Sequence, residues 1–231
     1  MGTIADNLQG VKSRIRGACQ RAGRDPRDIV LVAVSKTFPA DDVRAAHAAG
    51  QRCFGESYVQ EAVVKIEALA DLGLEWHFIG PIQSNKTREI AAHFDWVHSV
   101  DRLKIAERLS AQRSVERGAL DVLLQVNISG EATKSGVAPA DLATLAHAVA
   151  KLPNLRLRGL MAIPEPTDDM ALARSRFEAV RALQESLCAE GLTLDTLSMG
   201  MTHDLEAAIA GGATMVRVGT AIFGERRRQQ T

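Results

Sequence analysis

The chain has no excess of either charge: among its 231 residues, 28 Lys and Arg stand against 28 Asp and Glu. A general nucleic-acid or membrane-surface binder would carry a basic excess, so neither partner is expected. No apolar run approaches the roughly 18 residues that a membrane-spanning helix needs. The N-terminal stretch lacks the apolar core of roughly 7–15 residues that marks a secretory signal. Asp6 stands where a myristoylation motif wants Ser or Thr. Cys19, Cys53 and Cys188 are odd in number, far apart and in no CxxC pair, which leads us to expect reduced thiols in a cytoplasmic protein. The histidines (47, 77, 93, 98, 147 and 203) form no HExxH and no i, i+4 pair, so their spacing offers no metal motif. There is no Pro- or Gly-rich linker, and no low-complexity segment apart from ERRRQQ near the end.

What is present is an ordinary globular composition, 46% hydrophobic and 24% charged. Apolar runs alternate with amphipathic stretches. After an opening helix at 4–22, strands are expected at 29–36, 52–55, 76–80, 96–99, 120–127, 155–161, 194–197 and 215–219, with helices between them. Gly50 is the expected C-terminal cap of the helix after strand 1, and Asp101 the expected N-cap of the helix after strand 4. Strict alternation implies parallel strands with right-handed crossovers. Eight such units closed on themselves make a single-domain α/β (β/α)8 TIM barrel; an open doubly wound sheet is the alternative. One domain over 1–231 is expected, with the barrel at 29–224.

In a barrel, chemistry sits on the loops at the C-terminal strand ends. Strand 1 is expected to end in Ser35-Lys36, with Lys36 on the face of Val30, Val32 and Val34. A lysine among valines is partly desolvated, which lowers its pKa and suits Schiff-base formation. Snorkelling out of the barrel mouth is the plainer alternative. Strand 8 holds Arg217 between Val216 and Val218. The valines suit the strand–helix interface, so Arg217 should point inward and need a partner. That partner is either an anionic ligand shared with Lys36 or an internal carboxylate. The small turns Gly219-Thr220 and Ser198-Met199-Gly200-Met201 lead into helices, whose free N–H groups favour phosphate. A phosphate cradle, an amine for a carbonyl and an inward arginine suggest pyridoxal 5′-phosphate (PLP). Its phosphate would sit on Ser198, Gly200, Gly219 and Thr220, its aldehyde on Lys36, and its ring nitrogen against Arg217. Arginine cannot accept the pyridinium proton, which weakens the ring as an electron sink.

Seven blocks then resemble the pyridoxal phosphate homeostasis proteins: LVAVSKTFP (31–39), FGESYVQEA (54–62), WHFIGPIQSNKTR (76–88), VNISGEATKSGV (126–137), GLMAI (159–163), LSMGMTHDLEAAI (197–209) and MVRVGTAIFG (215–224). The likeness spans about Ile29 to Gly224, most of the chain. It implies a barrel like the N-terminal domain of alanine racemase, PLP on Lys36, and a role in PLP supply or buffering without established catalysis. PLP-dependent apoenzymes would then be partners. The chain departs from the family pattern at Ser57, where Asn is usual, so the likeness alone assures no polar cofactor contact there. It departs again at Thr202-His203, where the hydroxyl is kept and His203 is expected to face solvent.

Met201 and His77 are further candidates for the pocket. His77 is expected to be either a ligand neighbour inside the barrel or a hydrogen-bonded core residue. Ser84-Asn85-Lys86 opens a helix on the functional face, and the 130–136 loop is expected to be a lid, a contact surface or a solvated turn. The closing ERRR is expected to be a solvated tail. Rival functions are a PLP-dependent amino-acid racemase and a cofactor-free Schiff-base aldolase. A racemase needs a base on each face of the substrate carbon, yet the one tyrosine, Tyr58, opens a helix. No exposed apolar stripe stands out, so a monomer is expected.

Overall fold

The computed structural model describes residues 2–128 and 135–225. Helix α1 (Ile4–Ala22) opens on a capping box in which Thr3 and Asp6 bond reciprocally, and ends at Gly23 in the left-handed conformation. Its apolar positions Leu8, Val11, Ile15, Ala18 and Cys19 recur at helical spacing and are all buried.

Strand–helix units follow in order: β1 (Val30–Val34) and α2 (Ala40–Ala48); β2 (Cys53–Glu56) and α3 (Val59–Ala68); β3 (Glu75–Phe78) and α4 (Thr87–His93); β4 (Trp96–Val100) and α5 (Leu103–Gln112). Then come β5 (Leu120–Val126) and α6 (Leu142–Val149); β6 (Leu155–Ala162) and α7 (Met170–Ala189); β7 (Thr196–Ser198) and α8 (Leu205–Ala210); β8 (Met215–Val218) and α9 (Thr220–Phe223). The strands form a closed parallel barrel in sequence order, not the open sheet. Closure is made by β1 on β8, with Val32 level with Arg217 and Ala33 level with Val218. Among the described residues, no helix is long and apolar enough to cross a membrane.

Alternation along the strands sorts the side chains. Val216 and Val218 pack outward in the main core, while Val32, Trp96, Leu123, Met161 and Met215 fill the barrel interior. The N-terminal mouth is plugged by charge. Arg158 lies 5.0 Å over the Trp96 ring, and bonds Asp195 at 2.7 Å and Asp121 at 3.4 Å.

Two boundary expectations are corrected. Strand 7 runs Thr196–Ser198 rather than 194–197, which makes Ser198 a strand residue. Asp101 does not cap α5: Arg102 holds the N-cap place, and the Asp101 carboxylate accepts from the Arg102 guanidinium at 2.7 Å. Gly50 does follow α2 with φ +86°, its N–H bonding His47 O at 2.8 Å.

Gly159 sits where the β5–β6 register shifts. A Cβ there would run into the Thr196 carbonyl oxygen and lie 2.6 Å from Gln184 Oε1. Gly159→Ala is therefore expected to lose roughly 1–3 kcal/mol or more in urea unfolding, with the slope of the transition unchanged.

Candidate functional site

The strand carrying the candidate lysine ends earlier than its sequence suggests. β1 stops at Val34, and Lys36 lies in the turn beyond it, half-buried. What fixes that turn is a buried ionic cluster. Ser35 Oγ donates to Glu56 Oε1 at 2.7 Å, and Lys65 Nζ donates to the same oxygen at 2.6 Å. Lys65 Nζ also bonds Ser35 O at 2.9 Å and Glu61 Oε1 at 3.0 Å. Glu61 Oε1 in turn accepts the Thr37 N–H at 2.6 Å. Thr37 sits at φ +69°, a strained place for a β-branched residue. Lys36 is thus held between two neighbours that are each fixed by α3 or β2. Burial pushes the Glu56 carboxyl upward, and Lys65 and Ser35 oppose that push without cancelling it.

Arg217, on the strand next to β1, points inward as expected and is 4% exposed. Its partner is not an internal carboxylate. Nη1 donates to Ser198 O and Ser198 Oγ, both at 2.7 Å, and Nη2 donates to Ala162 O at 3.1 Å. Ala162 and Ser198 are the last residues of β6 and β7, so the guanidinium lies at the C-terminal end of the barrel. Three of its five N–H groups are engaged, leaving two donors. Burial lowers its pKa to about 10, with Asp204 opposing.

From Ser198 a line of hydrogen bonds crosses the barrel interior. Ser198 Oγ is 2.9 Å from His98 Nδ1, His98 Nε2 is 2.9 Å from His77 Nδ1, and His77 Nε2 is 2.8 Å from Glu75 Oε1. With the Glu75 carboxylate ionised, one proton order satisfies every member: Arg217 donates to Ser198, Ser198 to His98, His98 to His77, and His77 to Glu75. Burial, then His77 and Arg217, hold His98 well below the ordinary histidine range. The bond from His77 holds the Glu75 carboxyl below its usual range. His77 is therefore both interior and hydrogen-bonded, and its Nε2 faces the N-terminal mouth, away from Arg217.

The two turns are positioned from behind. Gly200 has φ +91°, and its carbonyl accepts the Arg217 N–H at 3.0 Å. Met201, half-buried, gives its N–H to Asp204 Oδ1 at 2.6 Å. Gly219 backs onto Val34, where a Cβ would lie 3.2 Å from the carbonyl oxygen. The N–H groups of Thr220 and Ala221 open α9 and have no intrahelical acceptor. Helix α1 clamps both turns: Arg14 Nη2 bonds Thr202 O, and Asn7 Nδ2 bonds Ile222 O, each at 2.9 Å. Ser57 is half-buried with its carbonyl packed on Gly80, and His203 is exposed. Ser84–Lys86 forms a 3-10 turn leading into α4. A cavity of about 300 Å³ opens at the ends of β3, β5 and β6, lined by Ile79, Gln125, Ser135 and Ile163 among others. Residues 130–134 of the expected lid, and the terminal arginines, lie outside the described residues.

Lys36, Arg217, the glycine turns and Ser198 thus share the C-terminal end of the barrel, while His77 joins it only through His98. The sequence missed Glu56, Glu61, Lys65, His98 and the α1 clamps. The i, i+4 pair Glu61/Lys65 was a visible signal for one of these groups.

A barrel with this arrangement belongs to a known class. The family model for the alanine racemase N-terminal domain matches residues 6–227. The pyridoxal phosphate homeostasis protein of Pseudomonas aeruginosa is 65% identical, over 98% of this chain and 97% of that protein. Its counterpart in Escherichia coli K12 is 55% identical, over 98% of each chain. The solved structure of PipY from Synechococcus elongatus PCC7942, with PLP bound, is 38% identical with a TM-score of 0.84, covering 96% of this chain and all of that one. The chain belongs to the pyridoxal phosphate homeostasis protein family.

Removing the Lys65 ammonium would strand Glu56, which is fully buried. Lys65→Met is expected to cost roughly 3–5 kcal/mol in urea unfolding, and adding Glu56→Gln should recover part of that loss.

Proposed function

We propose that this chain is a PLP carrier: it binds PLP through a Schiff base on Lys36 and buffers or delivers it to PLP-dependent apoenzymes without turning over a substrate. Arg217 carries the reading. It is a buried, donor-only group at the C-terminal end of the barrel, with two N–H groups beyond those its protein partners use. A ring nitrogen is an acceptor of the kind those donors lack. Gly200, Gly219 and Thr220 would take the phosphate through backbone N–H groups, with the Thr220 hydroxyl as a further donor. The Ser198 hydroxyl is already committed to His98 and Arg217, so its part would be to orient Arg217. Ser57 and Met201, both half-buried near this end, would border the pocket.

PLP supplies an aldehyde and an electron-withdrawing ring. A donor-only arginine at the ring nitrogen leaves that nitrogen unprotonated, which suits holding the cofactor more than carbanion chemistry. Tyr58 is 51% exposed before α3, a poor place for a second catalytic base. The relatives' names and the PLP in PipY support the same reading. The carrier is taken as one cytoplasmic domain over 1–231, and as a monomer because large exposed apolar side chains such as Val64 and Val115 occur singly.

The purified protein with PLP is expected to absorb in the visible. Borohydride followed by peptide mapping should place the phosphopyridoxyl group on Lys36, and Lys36→Ala should lose both signals. An adduct on another lysine would overturn the assignment. Lys36-dependent turnover of an L-amino-acid panel, followed by chiral chromatography, would replace the carrier with a racemase.

A further inference from the structure

The opposite mouth of the barrel holds a second cluster that the PLP reading does not use. Cys53 opens β2 and Glu75 opens β3, with His77 two residues further along β3. Cys53 Sγ, a Glu75 carboxylate oxygen and His77 Nε2 all lie within 4.8 Å of one another. Sγ is 3.4 Å from Oε1, and Nε2 is 2.8 Å from Oε1. A tetrahedral zinc ion, with bonds of roughly 2.0–2.3 Å, sets its ligand atoms roughly 3.3–3.6 Å apart. Sγ and Oε1 are already at that spacing, and the shorter Nε2–Oε1 contact, now a hydrogen bond, would open to admit the ion.

We infer that Cys53, Glu75 and His77 form a zinc site at the N-terminal mouth, with three protein ligands and one position left to water or a small ligand. Sulfur, imidazole nitrogen and carboxylate oxygen are the mixed donor set that suits zinc. His77 is fully buried, and its Nδ1 is held by His98 Nε2 at 2.9 Å, the outer contact that orients a metal-binding imidazole. Entry is open. The Glu75 side chain is 45% exposed, and Cys53 is half-buried.

Without metal the thiol is protonated: burial, then Glu75, pushes it up to about 12. Metal binding would release the thiol proton and shift the His77 hydrogen from Nε2 to Nδ1, leaving the Nε2 lone pair for the ion. His77 Nδ1 would then donate to His98 Nε2, and the His98 hydrogen would pass to its Nδ1, with the Ser198 hydroxyl hydrogen turned away from it. Arg158, the cation that acts on Glu75, is itself held by Asp195 and Asp121. The site's ligands come from β2 and β3 alone.

The test is zinc titrated into the full chain against a chromophoric chelator, then desalting and elemental analysis. Wild type and Cys188→Ser are expected to retain a single equivalent, and Cys53→Ser and Glu75→Gln to retain none while keeping their far-UV spectra. Cobalt(II) should give a thiolate charge-transfer band in the difference spectrum of wild type that Cys53→Ser lacks. Should Cys53→Ser fail to fold, Glu75→Gln alone decides. No uptake by wild type, metal retained by a folded Cys53→Ser or Glu75→Gln, or loss from Cys188→Ser overturns the site.

Discussion

A guanidinium enclosed in a barrel cannot be left to water. Its donors must be met by whatever surrounds it, and much of this interior is arranged around that need. Arg217 takes the carbonyl oxygens at the ends of β6 and β7 and the hydroxyl of Ser198. Ser198 then requires His98, His98 requires His77, and His77 ends on the one carboxylate of the line, Glu75. The guanidinium is met by neutral oxygens, with Asp204 the carboxylate that acts on its charge, and the line from Ser198 to Glu75 pairs each of its own members. Partly satisfied, such a chain would be costly; fully satisfied, it fixes the orientation of every side chain in it. The apolar neighbours Val32, Leu123 and Met161 keep water out of the line.

Rigidity at the rim comes from a different source. The turn bearing Lys36 is not stabilised by its own sequence, since Thr37 is strained there. It is held by a buried ion cluster drawn from β2 and α3, and by the carbonyl of Ser35 bonded to Lys65. On the other side, α1 reaches across to the turns after β7 and β8 through Arg14 and Asn7. Both halves of the candidate cofactor site are therefore fixed by elements outside it.

A match to the alanine racemase N-terminal domain gives the barrel, and a fold by itself does not choose a chemistry. The difference has to lie in side chains at its ends. Here one end offers a lysine, a donor-only arginine and two glycine turns, and the other offers a thiol, a carboxylate and an imidazole. The single line of hydrogen bonds through His77 and His98 joins them.

Strict strand–helix alternation in the sequence pointed to parallel strands and favoured a barrel over an open sheet, because parallel strands need crossovers; the pairing of β1 with β8 decided between them. The flanking valines were enough to turn Arg217 inward, because alternation has period two, and the small residues after strands 7 and 8 marked the turns. The sequence could not say that β1 ends before Lys36, that Ser198 serves Arg217, or that Cys53, Glu75 and His77 meet. Residue 198 is a hundred positions from His98, and Lys65 is thirty from Ser35. Local periodicity decides which way a side chain points. Which buried polar group it meets is decided only when closure brings distant strands to hydrogen-bond distance and the absence of water forces them to pair.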